Sequence, residues 1–462
     1  MRYSLRIAGK HYEELKQHLF PGDGKEAVAI AICGRSQFNN SDRLLVHEII
    51  KIPHESCSVR SSDQITWPTQ LLIPALERVS KRSLAILKIH SHPTGYPYFS
   101  STDDSSDREL FESIFGWMED EYVHGSAVML PDGKIFGRIF KANLSSIPLD
   151  KVSVAGDDIK LWSNSDEPIE KAAFQLRTIQ AFGEGTTQKL KKLKVGVVGC
   201  SGTGSPTIEL LTRLGVGELV LIDPDVIEQK NLNRIYNSTM DDALNANFKV
   251  DVLKSAINRI GIGTITHTYS SNIFKDRLAV QDLIDCDVIF GCVDSVDGRH
   301  LLNLISSFYL VPYFDLGVKL ISDGKGGIDQ IMGTVHYIQP GGSSLRTRGV
   351  YTEEDLRAAA MFRENREFYD EQRKSGYIVN INVDSPAVIS INTQVSSMAI
   401  NDFLARIHPF RYDSNREFAI NRFSLTDGYF MNEDGGEPDE YLAKFTGRGD
   451  MNPFLNLTGS NW

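Results

Sequence analysis

Residues 194–223 carry the feature that most constrains this chain: an apolar strand, KVGVV, a glycine-rich turn, a helix, and a second strand ending in Asp223. In GCSGTGSPTIELLTRLG, Gly199, Gly202 and Gly204 permit a tight strand-to-helix turn whose amide hydrogens can meet phosphate. Further strand candidates at 264–269, 288–292 and 313–316 alternate with helical stretches. That alternation predicts a doubly wound, Rossmann-like α/β sheet, with ligands at the C-terminal ends of its strands.

The first part of the chain reads differently. Apolar β-rich stretches at 27–33 and 43–51 precede a helix at 69–81, a strand at 83–89, a helix at 107–119 and a strand-turn-strand at 126–140, turned at Pro131-Asp132-Gly133. A compact α+β domain over 1–148 is expected, then an acidic, polar linker over 149–169, the α/β domain over 170–408, with a charged excursion from its sheet at 341–375, and a polar tail over 409–462.

Composition narrows the function. Lys and Arg number 49 against 60 Asp and Glu, a net charge of -11, so no overall attraction to nucleic acid is expected. The chain has no apolar run that spans a bilayer, and its five cysteines are scattered without CxxC spacing. A cytoplasmic protein with protein or small-molecule partners is the expectation, without nucleic acid or membrane.

Two constellations carry chemistry. In KIHSHPTGYPYFSSTDD, His90 and His92 stand two apart on a strand, so both imidazoles project from one face. Asp103 lies far enough along for a loop to bring it back, completing a two-His, one-carboxylate set for zinc with a fourth position left to water. Zinc of this kind acidifies its water and still needs a base, for which Glu26 is the candidate. A lone HxH is more often a pair of ordinary strand histidines. Here Glu26, Pro93, Ser100 and Asp103 accompany it, and together they resemble the JAMM (MPN-plus) motif of deubiquitinating metallopeptidases. The resemblance covers roughly residues 1–145 and implies zinc on His90, His92 and Asp103, Glu26 as general acid/base, and Ser100 steadying the oxyanion.

In the second constellation Asp223 is placed to bind ribose hydroxyls, which would equally suit a dehydrogenase. Asn231, Arg234 and Lys249 separate the readings, because they supply the contacts and positive charge that a triphosphate under attack needs. Asp294 ends a later strand, where its carboxylate could hold Mg²⁺. Each alone could be a solvated strand-end residue. Together they resemble the ThiF/MoeB and ubiquitin-activating adenylyltransferase family, over roughly residues 170–405: the glycine loop, Asp223 with Asp225, Asn231 to Arg234, Lys249 and Asp294. That resemblance implies ATP and magnesium as cofactors, Arg177 reaching into a partner subunit's site in a homodimer, and adenylation of the C-terminal glycine of a ubiquitin-like protein.

Taken together, the two resemblances imply a bifunctional enzyme of a prokaryotic ubiquitin-like system, in antiviral defence or sulfur metabolism. Alternatives are a sulfur-carrier adenylyltransferase with a fused processing peptidase, or an inactive binding scaffold. Cargo-transferring relatives carry a cysteine near the crossover segment, and no cysteine follows Cys292 here. The adenylate would then pass directly to a partner, to a thiol on a conjugating-enzyme partner, or to Ser343, Ser344 or Thr347 as an oxyester.

Overall fold

A computed structural model describes residues 1–118, 121–164, 172–323, 325–364 and 387–457. Among them, 1–164 with Ser307–Leu310 and Lys444–Asn456 form one compact unit, and 172–306 with Val311–Ala443 form a second.

The first unit is built on strands β1 (Arg2–Ala8), β2 (Val28–Phe38), β3 (Ser41–Lys51), β4 (Val59–Arg60), β5 (Ile65–Thr66), β6 (Ala85–Ser91), β7 (His124–Met129), β8 (Ile135–Phe140), β9 (Ser146–Pro148), β10 (Lys151–Ala155) and β11 (Ile159–Ser163). Nine of them form a mixed sheet in the order β11-β10-β1-β3-β2-β6-β7-β8-β9, and β4 and β5 form a separate small ribbon. Strand β2 explains why its sequence runs apolar without a break: Ala29, Ala31 and Cys33 pack on the face covered by the helix Gly9–Leu19, and Val28, Ile30 and Ile32 on the other, against helices Ile73–Ser80 and Ser101–Met118. With both faces covered, alternation disappears.

Several boundaries differ from the expectations. The region expected as a linker holds β10 and β11, and β10 pairs in parallel with β1. Its polar look is the alternation of a sheet margin: Val152 and Val154 are buried while Lys151 and Ser153 are half-buried. Residues 165–171 lie outside the described residues. The helix expected at 107–119 begins at Ser101, because Ser100 and Asp103 cap each other: the Ser100 hydroxyl accepts the Asp103 amide at 3.1 Å, and Asp103 Oδ2 accepts the Ser100 amide at 2.7 Å. Its last expected residue, 119, lies outside the described residues.

The second unit carries β12 (Lys194–Val198), β13 (Glu218–Ile222), β14 (Ile265–Tyr269), β15 (Val288–Gly291), β16 (Tyr313–Ser322), β17 (Ile328–Ile338), β18 (Ile420–Ser424) and β19 (Tyr429–Glu433), in the order β14-β13-β12-β15-β16-β17-β18-β19. The first five in that order run parallel, and the strand order reverses between β12 and β15. A crevice for ligand opens at such a point. From β16 onward the pairing is antiparallel, an extension absent from the sequence reading, and β18 and β19 lie inside the expected tail. Of the expected excursion at 341–375, the helix Glu353–Glu364 is seen and 365–375 lies outside the described residues.

The segment Lys444–Asn456 of the expected tail is held as well. Gly449 bridges Arg35 on β2, the Asp450 amide donates to the Arg35 carbonyl at 2.7 Å, and Asp450 Oδ2 accepts the Gln37 amide at 3.0 Å. Backbone meets backbone there: a Cβ on Gly34 would lie 2.2 Å from the Gly447 carbonyl oxygen, and one on Gly449 2.1 Å from that of Arg35. Among the described residues no helix is long and apolar enough to cross a membrane.

Candidate functional sites

Lys88, His90 and His92 alternate along and just beyond β6, so one face of that strand turns from apolar to chargeable at its end. Asp103, in the first turn of the helix Ser101–Met118, faces them. His90 Nε2 is 2.9 Å from Asp103 Oδ1, His92 Nε2 is 3.3 Å from Asp103 Oδ2, and the two Nε2 atoms are 3.1 Å apart. All three residues are buried, and among the described residues they form the single cluster able to hold a metal ion. Tetrahedral zinc with bonds of about 2.0–2.1 Å would separate its ligands by about 3.3 Å, so these residues fit the ion.

The proton arrangement fits as well. His92 Nδ1 lies 2.8 Å from the Tyr96 carbonyl, an acceptor that requires N–H on that nitrogen and leaves the Nε2 lone pair free in the neutral ring. Burial holds His90 below its ordinary pKa. For His92 burial acts in the same sense, but Asp103 and the Tyr96 carbonyl outweigh it and raise the pKa. Burial likewise opposes ionisation of Asp103, and hydrogen bonds from His90, His92 and the Ser100 amide overcome it, holding the carboxyl well below the usual carboxylate range.

Glu26 precedes β2 and is 5% exposed. Its amide donates to the Ser61 carbonyl at 2.7 Å and its carbonyl accepts from Arg60 Nε at 2.8 Å. Burial pushes its carboxyl up to about 7, with His92 opposing and Asp103 adding to the rise. The Ser100 hydroxyl donates to Asp103 Oδ2 at 2.7 Å, so here it serves the helix cap. The sequence reading missed Lys88 and Asp107, a buried pair at 2.7 Å beside this cluster. A lysine two residues before a buried histidine on the same strand face was the available signal.

In the second unit backbone contacts require two of the loop glycines, Gly199 and Gly204, and a side chain crowds the third, Gly202. Gly199 has φ +89°, and a Cβ there would lie 2.4 Å from the Cys292 carbonyl oxygen; one on Gly204 would lie 1.8 Å from the Gly199 carbonyl oxygen, and one on Gly202 2.4 Å from Asn392 Nδ2. Asp223, at the end of β13, accepts the Cys200 amide on Oδ2 at 2.7 Å and the Asp225 amide on Oδ1 at 2.9 Å. Burial raises its pKa and Lys249 opposes the rise. Lys249 Nζ stands 2.7 Å from Asp225 and 3.6 Å from Asp223. Four of the expected residues, Gly199, Asp223, Asp225 and Lys249, thus meet at the C-terminal ends of β12 and β13.

The remaining residues are placed less tightly. Asn231 is buried and its Oδ1 accepts the Glu228 amide at 3.0 Å. Arg234 donates to the Lys230 carbonyl at 2.8 Å, and its Cδ would lie 3.5 Å from a Cβ on Gly202. Asp294 is exposed in the loop after β15; Arg299 pairs with Asp315 at 3.1 Å, which raises the pKa of its guanidinium, and Asp294 adds to that rise. Arg177 is exposed and donates to Gln180 at 3.1 Å. Sequence reasoning did not single out Asn392, which presses on Gly202 from the helix Ile389–Ile407, or the half-buried Arg299 and its buried partner Asp315.

The oxyester expectation fares poorly for two of its three hydroxyls. Ser343 and Ser344 are buried, Ser343 accepting from Arg348 at 2.9 Å and Ser344 donating to Asp439 at 2.6 Å. Both hold the chain's own loop together.

Comparison with known proteins agrees with this division. The profile of the ThiF family matches residues 173–427, and that of prokaryotic homologs of the JAB domain matches residues 9–134. Ubiquitin-like modifier-activating enzyme 5 of Aedes aegypti is 25% identical over 206 residues, 42% of this chain and 49% of that protein. Adenylyltransferase and sulfurtransferase UBA4 of Meyerozyma guilliermondii is 27% identical over 188 residues, 40% and 42% of the two chains. The chain thus spans half or less of the length of these curated relatives. Among solved structures, E. coli MccB with MccA-N7isoASN is 18% identical with a TM-score of 0.44, over 58% of this chain and 74% of that one. This chain belongs to the ThiF family, with a domain similar to the prokaryotic homologs of the JAB domain joined ahead of it.

Proposed function

We propose that this protein is a bifunctional enzyme of a ubiquitin-like protein pathway. The second unit adenylates the C-terminal glycine of a small protein modifier, and the first cleaves a peptide or isopeptide bond at that glycine. The observation that carries the reading is the convergence, in a chain with a ThiF-family domain, of His90, His92 and Asp103 at tetrahedral spacings with Glu26 buried nearby.

For adenylation, the amides of the loop from Gly199 to Gly204 receive the phosphates, and Asp223, oriented by the Cys200 and Asp225 amides, holds the ribose hydroxyls. Lys249, Arg234 and Asn231 neutralise and orient the triphosphate, and Asp294 is the exposed carboxylate for Mg²⁺. The modifier's carboxylate attacks the α-phosphorus, the bond to the β-phosphate oxygen breaks, and acyl-adenylate and pyrophosphate result. Arg177 is exposed on its helix, as an arginine donated across a homodimer must be. Cys200 and Cys292 lie against the loop with thiols pushed up by burial, Cys292 to about 12, so neither supplies a thiolate. With Ser343 and Ser344 buried as well, the acyl group goes in this reading to a nucleophile on another protein, a conjugating partner or a sulfur-delivering one, and the exposed Thr347 is the remaining hydroxyl of the three.

For cleavage, zinc on His90, His92 and Asp103 would polarise the scissile carbonyl and acidify water. Glu26, poised near neutrality, takes a proton and returns it to the departing amine. Ser100 donates to the developing oxyanion by exchanging its present bond to Asp103.

The test is the intact mass of the ubiquitin-like protein encoded nearest this gene, incubated with ATP, Mg²⁺ and zinc-loaded enzyme. The reading expects an AMP adduct that Asp294→Ala abolishes and a shortened modifier that Glu26→Ala abolishes. Neither change with the wild type would sink it.

A further inference from the structure

The face of the helix Ser101–Met118 that meets β6 changes character along its length. Phe111 and Ile114 enter an apolar core with Ile86 of β6, whereas the preceding turns bury Asp107 and Asp103 opposite Lys88 and His90. Asp107 is wholly buried and is held from two sides: Lys88 Nζ is 2.7 Å from its Oδ1, and Arg138 Nη2 of β8 is 2.8 Å from its Oδ2. Arg138 also pairs with Asp104, and its guanidinium lies 3.8 Å over the ring of Phe99, the residue before Ser100. One carboxylate thus joins the strand bearing His90 and His92, the helix bearing Asp103, and, through Arg138, the loop between them.

Burying Lys88 and Asp107, with Arg138 largely covered beside them, is a poor way to obtain stability, since desolvation offsets most of the attraction and an apolar layer would pack the helix as well. What a satisfied ionic network adds is a single geometry, because sliding the helix along the strand would break a buried charge-assisted bond. The core turns at Phe111 and Ile114 resist such a slide less. We infer that Asp107, clamped between Lys88 and Arg138, is a positioning residue that sets the spacing between the His90/His92 strand and the Asp103 helix, and so the metal affinity of the centre. This rests on the metal-site reading above.

The experiment measures zinc affinity of the full chain by competition with a chromophoric chelator, and the visible absorption of the Co²⁺-loaded protein, for wild type, Asp107→Asn, Lys88→Arg and the apolar double variant Lys88→Met/Asp107→Leu. Changes behind metal ligands typically lower affinity 10- to 100-fold, and a loss of roughly that size is expected in all three variants. In the double variant the melting temperature of the metal-free protein should stay near wild type while affinity falls and the Co²⁺ spectrum changes. Affinity and spectrum unchanged in the folded double variant would overturn the inference. If that variant does not fold, Lys88→Arg decides: it keeps the charge but lengthens the arm, and wild-type affinity there would equally overturn it. Wild-type protein that takes up neither metal fails the metal-site reading itself, a result distinct from variants that bind like wild type.

Discussion

His92 Nδ1 and the carbonyl oxygen of Tyr96 lie 2.8 Å apart, closing the turn after β6 and deciding which imidazole nitrogen faces Asp103. With Nδ1 carrying the proton, the Nε2 of the neutral His92 ring presents a lone pair, and it lies 3.1 Å from His90 Nε2. Two such nitrogens and a carboxylate make an arrangement that a cation relieves. Zinc should therefore raise the melting temperature of the wild-type chain. At free zinc a thousand times Kd the stabilisation is about 4 kcal/mol by mass action. His92→Ala should abolish the zinc dependence, and a calorimetric scan with and without chelator reads it directly.

Glu26→Gln keeps the shape of the side chain and removes its basicity. Zinc content should be unchanged while cleavage falls by about 10²- to 10⁴-fold, the usual contribution of a positioned acid or base. The base must be deprotonated to act, so wild-type cleavage should fall as pH drops through the Glu26 pKa. Burial, with His92 opposing it and Asp103 adding to it, places that near 7 in the metal-free chain, and zinc's charge would move it lower. An acid limb that survives unchanged in Glu26→Gln would assign the titration to another group.

Lys249 is buried between Asp223 and Asp225 and is the cation best placed for the triphosphate. Lys249→Met should lower ATP–pyrophosphate exchange by about 10²-fold or more, the loss typical of one electrostatic contact to a reacting group. Cleavage by the first unit should stay within twofold, since its ligands lie on other elements. Loss of both activities together would indicate that the variant is unfolded, which its circular dichroism would show.

Much of what converges at the two candidate sites was legible because it is written in short, local patterns. His90 and His92 share a strand face by the two-residue period, and Ser100 to Asp103 is a helix-start pattern whose two members also belong to the site. The glycine loop was legible because every added Cβ would strike backbone or a buried side chain. What escaped depends on distant segments. Strand β10 looked like linker because its partner β1 lies some 150 residues earlier in sequence, and β11 joins the sheet only through β10. Asp107 looked like one more acidic residue in a charged helix, since nothing local shows that Lys88 and Arg138 close over it. Asn392 is nearly two hundred residues from Gly202.

The GRG run at the chain's end is likewise explained only by its contacts. Gly449 has φ +66° and no space for a side chain against Arg35. Gly449→Val would incur the left-handed backbone penalty of about 1–2 kcal/mol and a backbone clash besides. The segment Lys444–Asn456 should then detach from β2, and brief proteolysis should trim the variant there while leaving the wild type intact. Equal resistance in both would mean that the tail's contacts contribute little.

His124 offers a stability test independent of either activity. Its Nδ1 accepts the Ile86 amide at 3.0 Å, and Phe111 and Phe115 pack on its ring, so it is held neutral and burial pushes its pKa down to about 3. In the unfolded chain the same ring titrates near 6.5. Between those values the unfolded state binds the extra proton, so the contribution is fully present above pH 6.5 and is lost as pH falls toward 3. At pH 5 the loss is about 2 kcal/mol, 1.5 pH units at 1.36 kcal/mol each. His124→Gln retains a hydrogen-bond acceptor without a titrating group. It should be less stable than wild type at pH 8, from imperfect packing, and the gap should close by about that amount at pH 5. Denaturant midpoints for both proteins at the two pH values measure it, and parallel pH dependences would show that His124 is not the group that titrates.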